Sequence, residues 1–167
     1  LLRGCRAGWK YGSQQLLDAV EWDGLTCPHG KAPMGKYAEK VAKDYGVTRQ
    51  DQDAWALQSH QRAVAATESG RFQAEIVALP GVKGQMITRD GGPRSDSSPE
   101  ALTKLRPAFD PAGSVTAGNA SSLSDGAGAV VLASDSLKQK WKPPIAFRIV
   151  ATTVHAAHPS ELFIAPA

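Results

Sequence analysis

A tract of small, hydrogen-bonding residues in the second half of the chain is the first feature that could contact a ligand. Residues 116–122 read Thr-Ala-Gly-Asn-Ala-Ser-Ser. Small side chains let a ligand lie against the backbone, and the amides and hydroxyls can hydrogen-bond to it. The same tract also fits a tight turn that leads into a strand, and both interpretations stand at this point.

Arg94 is the one basic residue in a turn-rich segment, residues 90–99. A guanidinium group can hold a phosphate through two parallel hydrogen bonds, which makes Arg94 a candidate phosphate ligand. A solvated arginine is the simpler interpretation unless another feature supports an anion site.

The thiols and imidazoles show no catalytic or metal-binding spacing. Cys5 lies between Arg3 and Arg6, but nothing beside it could act as a base, and Cys27 lies in turn-rich sequence. The two cysteines and four histidines lack zinc-ligand spacing, so we expect no metal site. The histidines are His29, His60, His155 and His158.

Common phosphate-binding and nucleophile motifs are also missing. Gly126-x-Gly128 lacks the third glycine of a dinucleotide-binding loop. The sequence has no Gly-Lys-Ser/Thr phosphate loop and no Gly-x-Ser-x-Gly nucleophile elbow. These site classes are therefore not indicated.

Two helices are the clearest elements that could position the candidate residues. Apolar spacing predicts a helix over 34–45, with Gly46 as its stop. Thr48 and Asp51 form a variant capping box that opens a helix to about residue 69. One side of this second helix is predicted to pack closely against a neighbour; it carries Trp55, Ala56, Ser59, Ala63 and Ala66.

Shorter elements are predicted around these helices. They are a helical stretch over 14–22, strands over 75–79 and 85–88 joined at Pro80-Gly81, a helix over 99–105, a buried strand over 125–132, a helix over 136–141 and a strand over 145–154.

Composition indicates a globular protein and excludes several classes. The 167 residues are 42% hydrophobic and 21% charged, close to globular averages. The formal charge of +3 is spread over scattered basic residues, which does not indicate nucleic-acid binding. No apolar run is long enough to span a membrane. The chain begins without Met and stops after an apolar segment, so we expect an internal piece of a longer protein.

Three segments together resemble the thiolase family closely. They are Leu-Arg-Pro-Ala-Phe-Asp at 105–110, Ser-Val-Thr-Ala-Gly-Asn-Ala-Ser at 114–121 and Ser-Asp-Gly-Ala at 124–127. Upstream, Met34-Gly35, Gln52-Asp53 and Gly70-Arg71-Phe72 fit the same family in the same order. The resemblance covers essentially the whole chain.

The resemblance implies an incomplete thiolase-like α/β fold. Thiolase subunits have two α/β domains of similar fold and a loop domain inserted in the first. By this resemblance, residues 1–113 are a mixed α+β loop domain that binds CoA. Residues 114–143 are the last strand and helix of the N-terminal domain, and 144–167 open the C-terminal domain with its first strand, after Pro143-Pro144.

The resemblance also implies an acyltransferase that uses CoA. Thiolases cleave 3-ketoacyl-CoA with CoA, or condense two acyl-CoA units in a Claisen reaction. CoA and acyl-CoA would be substrates, and no cofactor would be permanently bound. The resemblance places Leu25 against the adenine, Arg94 near the nucleotide phosphates, Ala117 and Ser121 along the pantetheine channel, and Met34 at the acyl end.

No catalytic residue is expected in this chain. The family's nucleophilic cysteine would precede Leu1, and its histidine and second cysteine would follow Ala167; Cys5 and Cys27 match neither cysteine. Pro33 resembles the longer-chain enzymes, whereas the residues 163–166 resemble the acetoacetyl type, so chain-length preference stays open. Ser122 replaces the usual glycine and could tighten the channel.

Assembly and location follow from the resemblance alone. It implies a homodimer or homotetramer, or a part of a larger assembly, with a role in fatty-acid and lipid metabolism. The mitochondrial matrix is favoured, with peroxisome and cytosol as alternatives. The main alternative function is a non-catalytic, thiolase-derived subunit with a binding or structural role; a free-standing CoA-binding module is a third.

Overall fold

The computed structural model describes residues 8–82 and 84–166. The predictions about Cys5 and its two arginine neighbours lie outside these residues. The described chain forms two compact units: one of the residues up to Ser122 together with those from Ala157 onward, and one over Leu123–Ala156. We describe each by itself. In the described part of the chain, no helix is long and apolar enough to cross a membrane.

The first unit contains most of the regular structure. Its helices are α1 (Met34–Asp44), α2 (Arg49–Glu68) and α3 (Pro99–Thr103), with a π-helical turn at Val20–Gly24 and a 3₁₀ turn at Pro159–Glu161. Two short strands, β1 (Leu79–Pro80) and β2 (Met86–Ile87), form an antiparallel pair. The helix expected over 14–22 is thus reduced to the turn at Val20–Gly24.

Local capping signals define the ends of the two long helices. Gly46 has a φ of 67°, and the amide of Val47 donates to the carbonyl of Ala42 at 2.8 Å, which ends α1 in a Schellman-type turn. At the start of α2, the Thr48 hydroxyl accepts from the amide of Asp51 at 3.1 Å, and the Asp51 carboxylate accepts from the amide of Thr48 at 3.0 Å. The predicted stop and capping box are confirmed.

The buried face of α2 differs from the predicted small-residue face. Trp55 is 69% exposed, whereas Asp53 is only 8% exposed. The predicted face was wrong at Trp55 and also at Ser59, which is exposed. The side of α2 that packs against the chain instead carries Arg49, Gln52 and Asp53, whose partners are a carbonyl of Leu102, Ser114 and Asn119. The partners of Asp53, described below, make its burial possible.

The small core lies where α2 packs against α3 and the residues near 115. Leu102 of α3 and Val115 are 5% and 7% exposed. Gly118 approaches this core closely: a methyl group there would lie 2.5 Å from Leu105 Cδ1 and 2.6 Å from Leu102 Cδ2. Only glycine fits at that distance.

The second unit contains one helix, α4 (Asp135–Trp141), capped by the Ser134 hydroxyl. The segments 125–132 and 145–154, predicted as strands, form no hydrogen-bonded ladder, and Val130 and Val150 are 86% and 88% exposed. A strand needs a neighbour to accept its backbone hydrogen bonds, and no described segment of this unit pairs with either.

Candidate functional site

The small-residue tract folds into a tight turn around a buried threonine. Thr116 is fully buried, and its amide donates to Asn119 Oδ1 at 2.7 Å. Its carbonyl accepts from the amide of Ala120 at 2.9 Å, and its hydroxyl from the amide of Gly118 at 3.2 Å. The turn leaves Ala117 exposed at its tip.

Asn119 ties this turn to the middle of α2. Its side-chain amide donates to Asp53 Oδ1 at 2.9 Å and to the carbonyl of Ser114 at 3.0 Å. Oδ1 of Asn119 accepts from the amide of Thr116, so both the oxygen and the nitrogen of its side chain have hydrogen-bond partners. These partners require the oxygen of the Asn119 side chain to face the amide of Thr116 and its nitrogen to face Asp53.

Arg49 compensates the buried carboxylate of Asp53. Its Nε donates to Asp53 Oδ2 at 2.8 Å, and its Nη2 donates to the carbonyls of Leu102 and Leu105 at 2.8 and 3.1 Å. The two side chains are only 25% and 11% exposed. Desolvation of such a pair is costly, but the additional hydrogen bonds satisfy both charged groups.

Glu39 of α1 holds the chain just before the turn. Its two carboxylate oxygens accept from the amides of Ser114 and Val115 at 2.7 and 2.8 Å. The Ser114 hydroxyl also contacts Glu39 Oε2 at 3.1 Å and accepts from Gln52 Nε2 at 2.9 Å. The tract is therefore anchored from α1 and α2 together.

Sequence reasoning missed the positioning role of this polar cluster, which consists of Glu39, Arg49, Gln52, Asp53 and Asn119. Arg49, Gln52 and Asp53 recur at helical spacing on one side of α2, where an apolar stripe would be usual. That recurrence of polar residues is the signal that could have indicated the cluster.

Leu25 and Met34 are brought together by a short loop. The amide of Met34 donates to the carbonyl of Leu25 at 2.9 Å, next to an antiparallel bridge between Thr26 and Pro33. Leu25 is 37% exposed and Met34 is half-buried as the first residue of α1. The loop thus brings two apolar residues, a leucine and a methionine, together through their backbones.

Cys27 lies inside the same loop and is only 4% exposed. The pKa of its thiol is lowered, first by the backbone amide of Gly30 and then by the Tyr37 hydroxyl, with burial acting in the opposite direction. The hydrogen bond to Cys27 in turn raises the pKa of Tyr37. These contacts pack the thiol into the loop.

Arg94 is held at the surface by two residues. Its amide donates to His60 Nδ1 at 3.2 Å, while its Nε and Nη2 donate to the Asp96 carboxylate at 3.1 and 2.9 Å. The Arg94 side chain is 66% exposed. Hydrogen bonds and charge from Arg94 hold the pKa of the Asp96 carboxyl below its usual range.

The five predicted site residues therefore fall into three groups. Leu25 and Met34 form one, Ala117 and Ser121 lie on the exposed side of one tract, and Arg94 is tied to α2. Among the described residues, no hydrogen bond joins one group to another. A cavity of about 660 Å³ between the end of α2 and the hairpin contains none of the five.

The chain matches the family model described as the N-terminal domain of thiolase over residues 2–136. It is 42% identical over 170 residues to an acetyl-CoA acetyltransferase of Pseudomonas aeruginosa, covering 99% of this chain and 43% of that protein. It is 48% identical over 134 residues to an acetyl-CoA acetyltransferase of Escherichia coli, covering 78% of this chain and 34% of that protein.

A solved structure shows the same relationship in three dimensions. The human mitochondrial 3-ketoacyl-CoA thiolase, in complex with CoA, superposes with a TM-score of 0.75 at 40% identity, over 85% of this chain and 36% of that one. The chain thus spans less than half the length of each of these relatives.

Proposed function

The chain belongs to the thiolase family, and on that premise we propose that it is the CoA-binding part of an enzyme that transfers acyl groups between thioesters. The intact enzyme would cleave 3-ketoacyl-CoA with CoA, or condense acetyl-CoA in the reverse direction. The family and the incomplete thiolase-like α/β fold predicted from the sequence are both confirmed.

The anchored turn at Thr116 is the observation that carries this proposal. The cluster on α1 and α2 fixes the backbone of the tract, while Ala117 and Ser121 face outward with little side-chain bulk. A slender amide-containing arm such as pantetheine can lie along such a surface and hydrogen-bond to its hydroxyl and amides. Rigid support keeps the cost of ordering the site low when the ligand binds.

The other two groups match the remaining chemistry of CoA. The exposed guanidinium of Arg94 suits a phosphate, because guanidinium and phosphate pair through parallel charge-assisted hydrogen bonds. Leu25 offers exposed apolar surface for the adenine ring, and Met34, joined to it through the backbone, would line the acyl end. CoA and acyl-CoA enter here as substrates.

The contribution of this chain to the reaction would be positional. In the proposed scheme, a cysteine outside this chain takes up the acyl group, and a second cysteine there moves the proton. The chain holds CoA so that its thioester sulfur and carbonyl meet those groups. Placing reactants in this way lowers the entropic part of the barrier.

Assembly and location belong to the same proposal. We expect a homodimer or homotetramer acting in fatty-acid metabolism. The mitochondrial matrix stays a prediction, because relatives of similar identity come from bacteria as well as from a human mitochondrion. The non-catalytic subunit has no observation in its favour, since each relative named above is an acyltransferase or thiolase, and we do not propose it.

The test starts from the intact protein that carries this chain. Its denatured mass should lie well above the 17.6 kDa of the chain, and it should consume 3-ketoacyl-CoA in the presence of CoA. CoA affinity is then measured by calorimetry for Arg94→Ala, with Arg62→Ala on the exposed face of α2 as the control. We expect Arg94→Ala to weaken binding about 10- to 100-fold, the range for a lost hydrogen bond to a charged group.

Two results would contradict the proposal. If the intact protein neither cleaves 3-ketoacyl-CoA nor condenses acetyl-CoA, the acyltransferase assignment is wrong. If Arg94→Ala and Arg62→Ala bind CoA equally well, Arg94 is not the phosphate ligand, and the adenine end of CoA lies elsewhere.

A further inference from the structure

The loop that carries Arg94 is attached to the rest of the unit by very few bonds. Arg94 donates its backbone amide to His60 Nδ1 at 3.2 Å. Among the described residues, this is the one hydrogen bond that joins residues 89–97 to another element. His60 lies in the middle of α2, half-buried, so it supplies a fixed point for an otherwise exposed segment.

The side chain of Arg94 is oriented by a separate contact. The Asp96 carboxylate accepts hydrogen bonds from Nε and Nη2, which form one edge of the Arg94 guanidinium group. A guanidinium group has five N–H donors, so the edge formed by Nη1 and Nη2 keeps donors for a second anion. His60 therefore fixes the backbone of Arg94, and Asp96 fixes the direction of its side chain.

We infer that His60 is a positioning residue for Arg94: its neutral imidazole holds the phosphate-binding loop against α2, and its protonation releases the loop and weakens CoA binding. The inference rests on the proposed function, in which Arg94 contacts the nucleotide phosphates.

The direction of the effect follows from the donor pattern of imidazole. Nδ1 can accept the amide of Arg94 only while it carries no proton, because both nitrogens of an imidazolium are donors. Imidazole side chains change charge between about pH 5 and 8. Acidification therefore turns the acceptor at Nδ1 into a donor that faces another donor, and the bond is lost.

Few charged groups face His60. Asp96 is close enough for the charge of His60 to contribute to its lowered pKa, after the larger effect of Arg94 itself. One turn away along α2, the residues are uncharged; they are Ala56, Leu57, Ala63 and Val64. The helix α3, packed against α2, carries Glu100 as its titratable residue.

Protonation also adds a positive charge near the phosphate, which acts in the opposite direction. This effect is small at an exposed site, because solvent and salt screen the interaction. The attraction between an imidazolium and Asp96 would also draw that carboxylate away from Arg94. Loss of the anchor, with the entropy of the released segment, is the larger effect.

The experiment measures CoA affinity of the intact protein by calorimetry between pH 5.5 and 8. His60→Asn is the matched variant, because its Oδ1 sits where Nδ1 does and accepts a hydrogen bond at every pH. His60→Leu removes the acceptor. The phosphate monoester of CoA also titrates near pH 6, and His60→Asn reports that contribution alone.

We expect His60→Leu to bind CoA about fivefold more weakly than wild type at pH 8, the effect of one lost hydrogen bond. Wild type should lose affinity more steeply than His60→Asn as the pH falls. Equal pH slopes for wild type and His60→Asn would overturn the inference, as would wild-type affinity of His60→Leu at pH 8. Thermal unfolding of each variant verifies that it is folded.

Arg94→Ala distinguishes a failure of the proposed phosphate contact from a failure of the role inferred for His60. If Arg94→Ala leaves CoA affinity unchanged, the proposed phosphate contact fails, and the role of His60 fails with it. If Arg94→Ala weakens binding while His60→Leu does not, the phosphate contact stands and only the role of His60 is refuted.

Discussion

Asp53 and Asn119 are 66 residues apart in the chain, and the side-chain amide of Asn119 donates to Asp53 Oδ1 at 2.9 Å. This bond joins the middle of α2 to the small-residue tract. Because Asn119 also accepts from the amide of Thr116, the same side chain shapes the turn and attaches it to the helix. The two hydrogen bonds of Asn119 thus fix the backbone conformation of the small-residue tract.

Removal of Asn119 should therefore destabilise the protein as well as its binding surface. Asn119→Ala leaves Asp53 Oδ1 and the amide of Thr116 without their partners in a largely buried place. Unmet buried polar groups cost about 1–3 kcal/mol each, so we expect a loss of at least 2 kcal/mol in the free energy of unfolding. Urea unfolding measures it, with Gln58→Ala on the exposed face of α2 as the control. Equal stability of the two variants would show that the bond contributes nothing.

Gly118 should tolerate no side chain. In Gly118→Ala, the added methyl would lie within 2.6 Å of side-chain carbons of Leu102 and Leu105, and Leu102 is buried. Overpacking of this kind costs about 1–3 kcal/mol. Gly92→Ala is the matched control, because nothing lies within 4 Å of the corresponding position. A melting temperature for Gly118→Ala equal to that of Gly92→Ala would contradict the close approach.

The pantetheine assignment predicts a change in KM with little change in stability. Ala117 and Ser121 are exposed, so Ala117→Leu and Ser121→Ala should fold normally. Leucine at 117 would occupy the proposed channel, and we expect KM for acyl-CoA to rise about tenfold, as for about 1.4 kcal/mol of lost binding. Ser121→Ala should have a smaller effect of the same sign. Ala112→Leu, also exposed, is the control; the assignment is wrong if all three variants have the wild-type KM.

Stability at acid pH should depend on the capping box. Hydrogen bonds from Thr48 hold the pKa of the Asp51 carboxyl below its ordinary value. The unfolded chain then binds this proton more readily, so the contribution of Asp51 is complete above its ordinary pKa and is lost as the pH falls through the lowered one. Stability of wild type relative to Asp51→Asn should therefore shrink between pH 6 and about pH 3. A difference independent of pH would contradict it.

Local elements could be predicted because their signals lie within a few residues. The stop at Gly46, the capping box of Thr48 and Asp51, and the proline at the first position of α3 all act over one turn of chain. The hairpin of β1 and β2 was predicted in part: the second strand lies within the predicted 85–88, but the first strand, expected over 75–79, covers Leu79–Pro80. The segments 125–132 and 145–154 are different, because their apolar residues indicate strands but pairing needs a neighbour far away in the chain.

The sequence by itself determined the helices α1 and α2, the stop at Gly46, the capping box of Thr48 and Asp51 and, through the order of its motifs, the thiolase family. The tertiary structure alone decided that Asp53 rather than Trp55 is buried, that Asn119 joins the tract to α2, and that His60 holds the backbone of Arg94. The physical reason is that capping and periodicity depend on neighbours along the chain, whereas burial of a polar group depends on partners that only folding brings near.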